Sequence, residues 1–113
     1  MPMPELVKKN AEKLIGDYCR NWVPVYTNEL LRMTYTLEDE AFTLFIRDVI
    51  AAEDSEGRIP VAQLRFCMEL KQWTLHIPHG EGRWKFYLNA RPTLNLARLL
   101  LHLKEDPLGF FRH

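Results

Sequence analysis

His76 and His79, three positions apart in His76-Ile77-Pro78-His79, are the nearest this sequence comes to a metal-binding or reactive set. A zinc-like ion takes imidazole nitrogen, thiolate or carboxylate in a tetrahedral shell, so Glu81 or Cys67 would have to complete it. The spacing works against such a site. Residues three apart on a strand point to opposite faces, and the rings converge only if the chain leaves the strand at Pro78. The plainer reading is one histidine on a strand and one in the turn after it, with no metal and no cofactor; a metal protein or enzyme built around His76 and His79 is the lesser alternative. His102 and His113 have no sequence neighbour that would tune them.

Covalent chemistry is no better supplied. Ser55 is the only serine and sits among Glu53, Asp54 and Glu56. Cys19 and Cys67 are far apart, on a predicted helix and a predicted strand, and read as buried free thiols rather than a redox or metal pair. Neither has a histidine beside it to act as base. The carboxylate runs Glu38-Asp39-Glu40 and Glu53-Asp54 fall where turns are expected, and charge runs at hairpin tips are solvated far more often than they are acid–base machinery.

The remaining group with chemical potential is cationic: Arg32, Arg47, Arg65, His76, Lys85 and Tyr87, in step with Thr34, Thr36, Thr43, Thr74 and Phe45. Arginine and lysine interleaved with an aromatic ring on one sheet face is how sheet-based single-strand binders follow a phosphate backbone and stack a base. Threonine and arginine are also the ordinary dress of an exposed sheet face. Because Lys+Arg and Asp+Glu each number 15 and the formal net charge is zero, long-range attraction to a polyanion is weak. Nucleic acid is therefore possible as a partner but not favoured over a protein partner or a homodimer.

These side chains depend on elements that the hydrophobic pattern makes legible. From Pro4 to Trp22, Val7, Ala11, Leu14, Ile15, Tyr18 and Trp22 recur at helical spacing between charged residues, and Pro24 stops the run. The period then changes to two. Leu31, Met33, Tyr35 and Leu37 alternate with polar residues, and Phe42, Leu44 and Ile46 return after the acidic turn, which describes a hairpin. Ala51 to Arg58 reads as a loop, and a third strand over Ile59–Glu69 carries Ala62, Leu64, Phe66 and Met68 on one face. Trp73, Leu75 and Ile77, then Trp84, Phe86 and Leu88 beyond the Gly80/Gly82 turn, are predicted to point inward on the fourth and fifth strands. Pro92 and Thr93 are predicted to open a leucine-rich helix with Thr93 as its cap, followed by Asp106-Pro107 and an aromatic pair, Phe110 and Phe111, that folds back on the domain.

Turns this short favour an antiparallel meander, since parallel crossovers need far more chain. The predicted fold is α+β: an N-terminal helix, an antiparallel meander of about five strands and a C-terminal helix, both helices packed on one sheet face. At 113 residues, 47% hydrophobic and 27% charged, the chain is expected to form a single domain over residues 1–113. No apolar run is long enough to span a bilayer, so no membrane partner is expected. The start, Met1-Pro2-Met3-Pro4-Glu5, lacks the basic-then-apolar pattern of a secretory signal, and a cytoplasmic location is the expectation.

Val23-Pro24 after the first helix, Thr43-Leu44-Phe45, Trp73-x-Leu75, Gly82-Arg83-Trp84 with Tyr87, Leu96-x-x-Leu99-Leu100 and Asp106-Pro107-x-Gly109-Phe110-Phe111 together resemble a small bacterial family known as a domain of unknown function, number three-zero-two-four of its series. The similarity runs nearly the length of the chain. Where members of that family often carry a histidine after the second tryptophan and an arginine-proline after the second strand, this chain has Lys85 and Asp48-Val49. The resemblance implies a shared fold unit and no activity. The function expected from all of this is an uncharacterised, non-enzymatic module that binds a macromolecule or itself through an exposed sheet face or edge.

Overall fold

The computed structural model describes residues 3–22, 31–48 and 58–105. Helix α1 (Glu5–Asn21) is followed by strands β1 (Leu31–Glu38), β2 (Ala41–Asp48), β3 (Arg58–Cys67), β4 (Gln72–Pro78) and β5 (Trp84–Phe86), then by helix α2 (Leu96–Glu105). The strands form one antiparallel sheet in the order β1-β2-β3-β4-β5, so the meander and the two helices are as the sequence predicts. The connector after α1, the acidic loop before β3 and the Phe110/Phe111 segment lie outside the described residues.

Register explains where the core is. Met33 pairs with Ile46, Phe42 with Leu64, Leu64 with Leu75 and Phe66 with Trp73, and cross-strand partners share a face. All of these side chains are buried, together with Ala11 and Ile15 of α1 and Leu96, Leu99, Leu100 and Leu103 of α2. The helices touch each other, α1 lies against β1 and α2 against β4. Beneath them Trp73 stacks at a tilt on Phe66 (centroids 5.1 Å apart) and on Phe42 (6.0 Å). A bulge where β2 meets β3 sets Leu44 against Ala62 but Phe45 against Pro60, so Val61 is the extra residue, and it is buried beside Ala62.

The two-residue turn between β1 and β2 places Asp39 at φ +54°, a left-handed conformation that a short polar side chain tolerates better than most. The last reversal of the sheet, between β4 and β5, is different, and its length reverses one sequence expectation. Five residues, His79 to Arg83, separate β4 from β5, closed by the His79 N–H donating to the Arg83 carbonyl at 2.9 Å. Gly80 (φ +79°) and Gly82 (φ +66°) supply the backbone geometry this loop requires. With that length Pro78 pairs with Trp84, Ile77 with Lys85 and His76 with Phe86.

Trp84 and Phe86 therefore take the phase of His76, on the outer face, and not the phase of Leu75 and Ile77 as predicted. Tyr87 turns inward and is 1% exposed, while Leu88, expected in the core, is 82% exposed. One residue more or less in the loop would restore the predicted phase, because strand side chains alternate with a period of two. Tyr87 is fixed by its own N–H donating to the Leu75 carbonyl at 2.8 Å, by the Asn89 amide donating to its hydroxyl at 3.4 Å, and by an edge contact with His102 of α2 at 6.3 Å.

The last helix also starts later than predicted. Thr93 is not its cap: Thr93 and Trp73 exchange both backbone hydrogen bonds (2.7 and 3.0 Å), which extends the sheet by an isolated bridge. The Thr93 hydroxyl accepts from the Asn95 N–H at 3.0 Å, and α2 begins at Leu96, leaving Leu94 exposed.

Candidate functional site, the outer sheet face

The face turned away from the helices is built from the polar phase of each strand. Reading across the sheet, Arg32 pairs with Arg47 and Arg47 with Arg58, so three arginine positions form one transverse row. The next row is Thr34, Phe45 and Pro60. Thr36, Thr43, Gln63, His76 and Phe86 follow, and beyond them Glu38, Ala41, Arg65 and Thr74. Apart from Arg58, whose side chain is outside the description, every one of these side chains is half-buried or exposed and none is buried. Glu38 is the only acid among these rows.

Of the six candidate residues, the structure brings Arg32, Arg47, Arg65 and His76 onto this face. Lys85 is exposed but in the opposite phase, opposite Ile77 at the sheet's short edge. Tyr87 is in the core and has no access to a ligand. Two half-buried aromatic side chains at the β5 end of the same face, Trp84 and Phe86, are not among the six, and Arg58, which the sequence places in the loop, has its backbone in β3, paired with Arg47. The odd residue count between Pro78 and Trp84 was the available signal for the first two.

Polar side chains in the middle of the face are tied into a chain. The Gln63 amide donates to the Thr43 hydroxyl at 2.9 Å, and Arg65 Nε donates to Gln63 Oε1 at 2.6 Å. Thr74 Oγ1 lies 2.9 Å from His76 Nε2 and 3.4 Å from the Arg65 carbonyl. One consistent arrangement has Nε2–H donating to the threonine oxygen while the threonine donates to the carbonyl. The His76 ring meets Phe86 edge-on at 5.8 Å.

Burial pushes the His76 imidazole down from the ordinary 6.5 to about 4, with the nearby Arg65 charge acting in the same direction. The histidine is neutral at physiological pH. In the unfolded chain it binds a proton near pH 6.5, in the folded one only near 4, so stability is fully present above 6.5 and falls as pH drops from there toward 4. Discounted for solvent screening of a half-exposed group, the loss is on the order of 1 kcal/mol. Chemical denaturation at pH 7.5 and 4.5 is expected to show that loss in the native protein and its absence in His76→Gln.

The thiols differ from expectation in degree. Cys19 and Cys67 are free but half-buried rather than buried, and desolvation raises the Cys19 thiol to about 12, which keeps it protonated and unreactive. His79 sits in the exposed β4–β5 loop while His76 lies on the sheet, and among the described residues no three His, Cys, Asp or Glu side chains come together as a metal site. Among those residues, too, no helix is long and apolar enough to cross a membrane.

The arrangement offers guanidinium groups, hydrogen-bonding amides and hydroxyls, and ring edges on one surface. No curated protein and no solved structure matches this chain. A family model does match, over residues 3–113. The chain belongs to the family described as Domain of unknown function (DUF3024), the same one its tryptophan, leucine and Asp-Pro motifs resemble.

Proposed function

We propose that this domain is a small non-enzymatic binding module that meets another macromolecule, a protein or a second copy of itself, through the outer face or the edge of its sheet. The observation that supports it best is the segregation of charge: a chain of zero net charge carries Arg32, Arg47 and Arg65, with the backbone position of Arg58 in the same row as Arg47, against Glu38 as the one acid among the described residues of those rows. Interfaces of stable complexes are enriched in arginine and aromatic residues, and Phe45, Trp84 and Phe86 supply the rings here. The zero net charge argues for a contact surface that works at short range.

A second reading, weak binding of single-stranded nucleic acid, is favoured by one specific feature, the arginine row with Phe45 in the row beside it. Fluorescence anisotropy with short single-stranded DNA and RNA oligomers at low salt tests it. Three phosphate contacts by Arg32, Arg47 and Arg65 give a slope of log affinity against log salt of roughly −2. The double reversal Arg47→Glu with Arg65→Glu is expected to abolish binding. Absence of binding for every oligomer at low salt ends this second reading and leaves the protein-partner reading to be tested by the same double reversal.

A further inference from the structure

The sheet has two edges of unlike character. At one end β5 is three residues long. At the other, β1 is eight residues long, has no proline, and among the described residues pairs with no strand on its far side. A long edge of this kind presents a row of backbone donors and acceptors and is a template for another strand unless something shields it. Beside it runs a groove of about 420 Å³, lined by Gly16, Cys19 and Arg20 of α1 and by residues Arg32 to Tyr35 of β1. At Gly16 the space a Cβ would occupy has no atom within 4 Å. A strand edge flanked by a helix, with room between them, is the geometry of strand addition.

We propose that the strand added is β1 of a second copy, antiparallel and centred on Tyr35. This deepens the self-association part of the reading above and rests on it. The sequence of β1 is complementary to itself in that register. Arg32 comes opposite Glu38 of the partner subunit, and Thr34 opposite Thr36 of the partner subunit, both pairs on the outer face. On the core face Met33 meets Leu37 of the partner subunit, and the two Tyr35 rings meet at the two-fold axis. Symmetry makes the Arg–Glu pair twice over, as an isologous interface requires.

Neighbouring registers lose this match. A slip of one residue puts the apolar phase on the outer face, and a slip of two separates Arg32 from the partner's Glu38. Arg32 already has an interaction within its own chain, and a guanidinium carries donors enough to add a carboxylate. The groove receives the partner's half-buried core-phase residues, and the dimer doubles the five-stranded sheet, giving one continuous outer face with both arginine rows on it.

Size-exclusion chromatography with light scattering and sedimentation equilibrium test the proposal. The native protein is expected to be a dimer. Arg32→Glu and Glu38→Arg, each placing like charges opposite one another, are each expected to weaken dimerisation about tenfold or more. The double swap R32E/E38R recreates both pairs and is expected to restore it, a rescue that misfolding cannot imitate. A native protein that stays monomeric at high concentration overturns the proposal together with the self-association part of the reading above; if that monomer still binds an oligonucleotide through its outer face, the second reading, single-stranded nucleic-acid binding, survives. A dimer indifferent to the single reversals, or not rescued by the double swap, also overturns the β1 register while leaving self-association itself intact.

Discussion

Trp73→Ala is expected to destabilise the protein by about 3–5 kcal/mol, the range for truncating a buried large aromatic side chain. Trp73 is 3% exposed and lies between two other core rings, tilted against both Phe42 and Phe66. Removing it leaves a cavity walled by groups from β2 and β3, and antiparallel strands already paired on both sides cannot collapse into it. Its backbone is also the point where Thr93 joins the sheet. Typical domains unfold at a cost of about 5–15 kcal/mol, so the loss is a large fraction of the whole. A fall of the melting midpoint on the order of 10–20 °C in calorimetry is expected. Trp73→Phe, which keeps most of the volume, is expected to lose much less. A midpoint within a few degrees of the native one for Trp73→Ala would mean the ring is not in the core.

The second large effect separates the observed strand phase from the one the sequence suggests. Tyr87→Ala is expected to cost about 3–5 kcal/mol, because it empties a site 1% exposed between the sheet and α2. Trp84→Ala removes a half-buried ring from the outer face and is expected to cost about 1–2 kcal/mol, in keeping with partial loss of apolar burial. If Trp84 faced inward with Leu75 and Tyr87 faced out, the order would invert. Urea denaturation of the two variants side by side decides between them, and equal midpoints would count against the assignment of Tyr87 to the core.

Most of the fold is legible in the sequence because two periods carry it. The 3.6-residue spacing of Val7, Ala11, Leu14, Ile15 and Tyr18 can serve only a helix, and the alternation from Met33 to Leu37 and from Phe42 to Ile46 can serve only a strand with one buried face. What the alternation does not show is which phase faces in when both phases contain large apolar side chains. Trp84-Lys85-Phe86-Tyr87-Leu88 is such a case, and the deciding quantity is the residue count of the loop before it. Thr93 illustrates a second limit. Its type suits a helix cap, but a tertiary partner, the backbone of Trp73, takes its N–H and carbonyl first.

The candidate site was legible to the same extent. Arg32, Arg47, Arg65 and His76 lie on strands with an unambiguous phase, and all four reach the outer face. Lys85 and Tyr87 depend on the phase of β5 and share its reversal. The transverse row of arginines could not be seen in advance, since it depends on the hairpin register between β1 and β2 and on the bulge at Val61, which brings Arg58 opposite Arg47. Without the bulge the third strand would be offset by one residue and the row would be broken.

Everything proposed for the outer face depends on the sheet having that face, with Phe86 beside His76 and Tyr87 beneath α2. Nuclear Overhauser contacts between assigned ring protons test this most directly. Cross-peaks are expected between the Phe86 and His76 rings, whose centroids are 5.8 Å apart, and between the Tyr87 and His102 rings at 6.3 Å. Cross-peaks from the Trp84 indole to the methyl groups of Leu75 or Leu99, with none between Phe86 and His76, would contradict the two-faced arrangement and remove the surface on which the proposed binding rests.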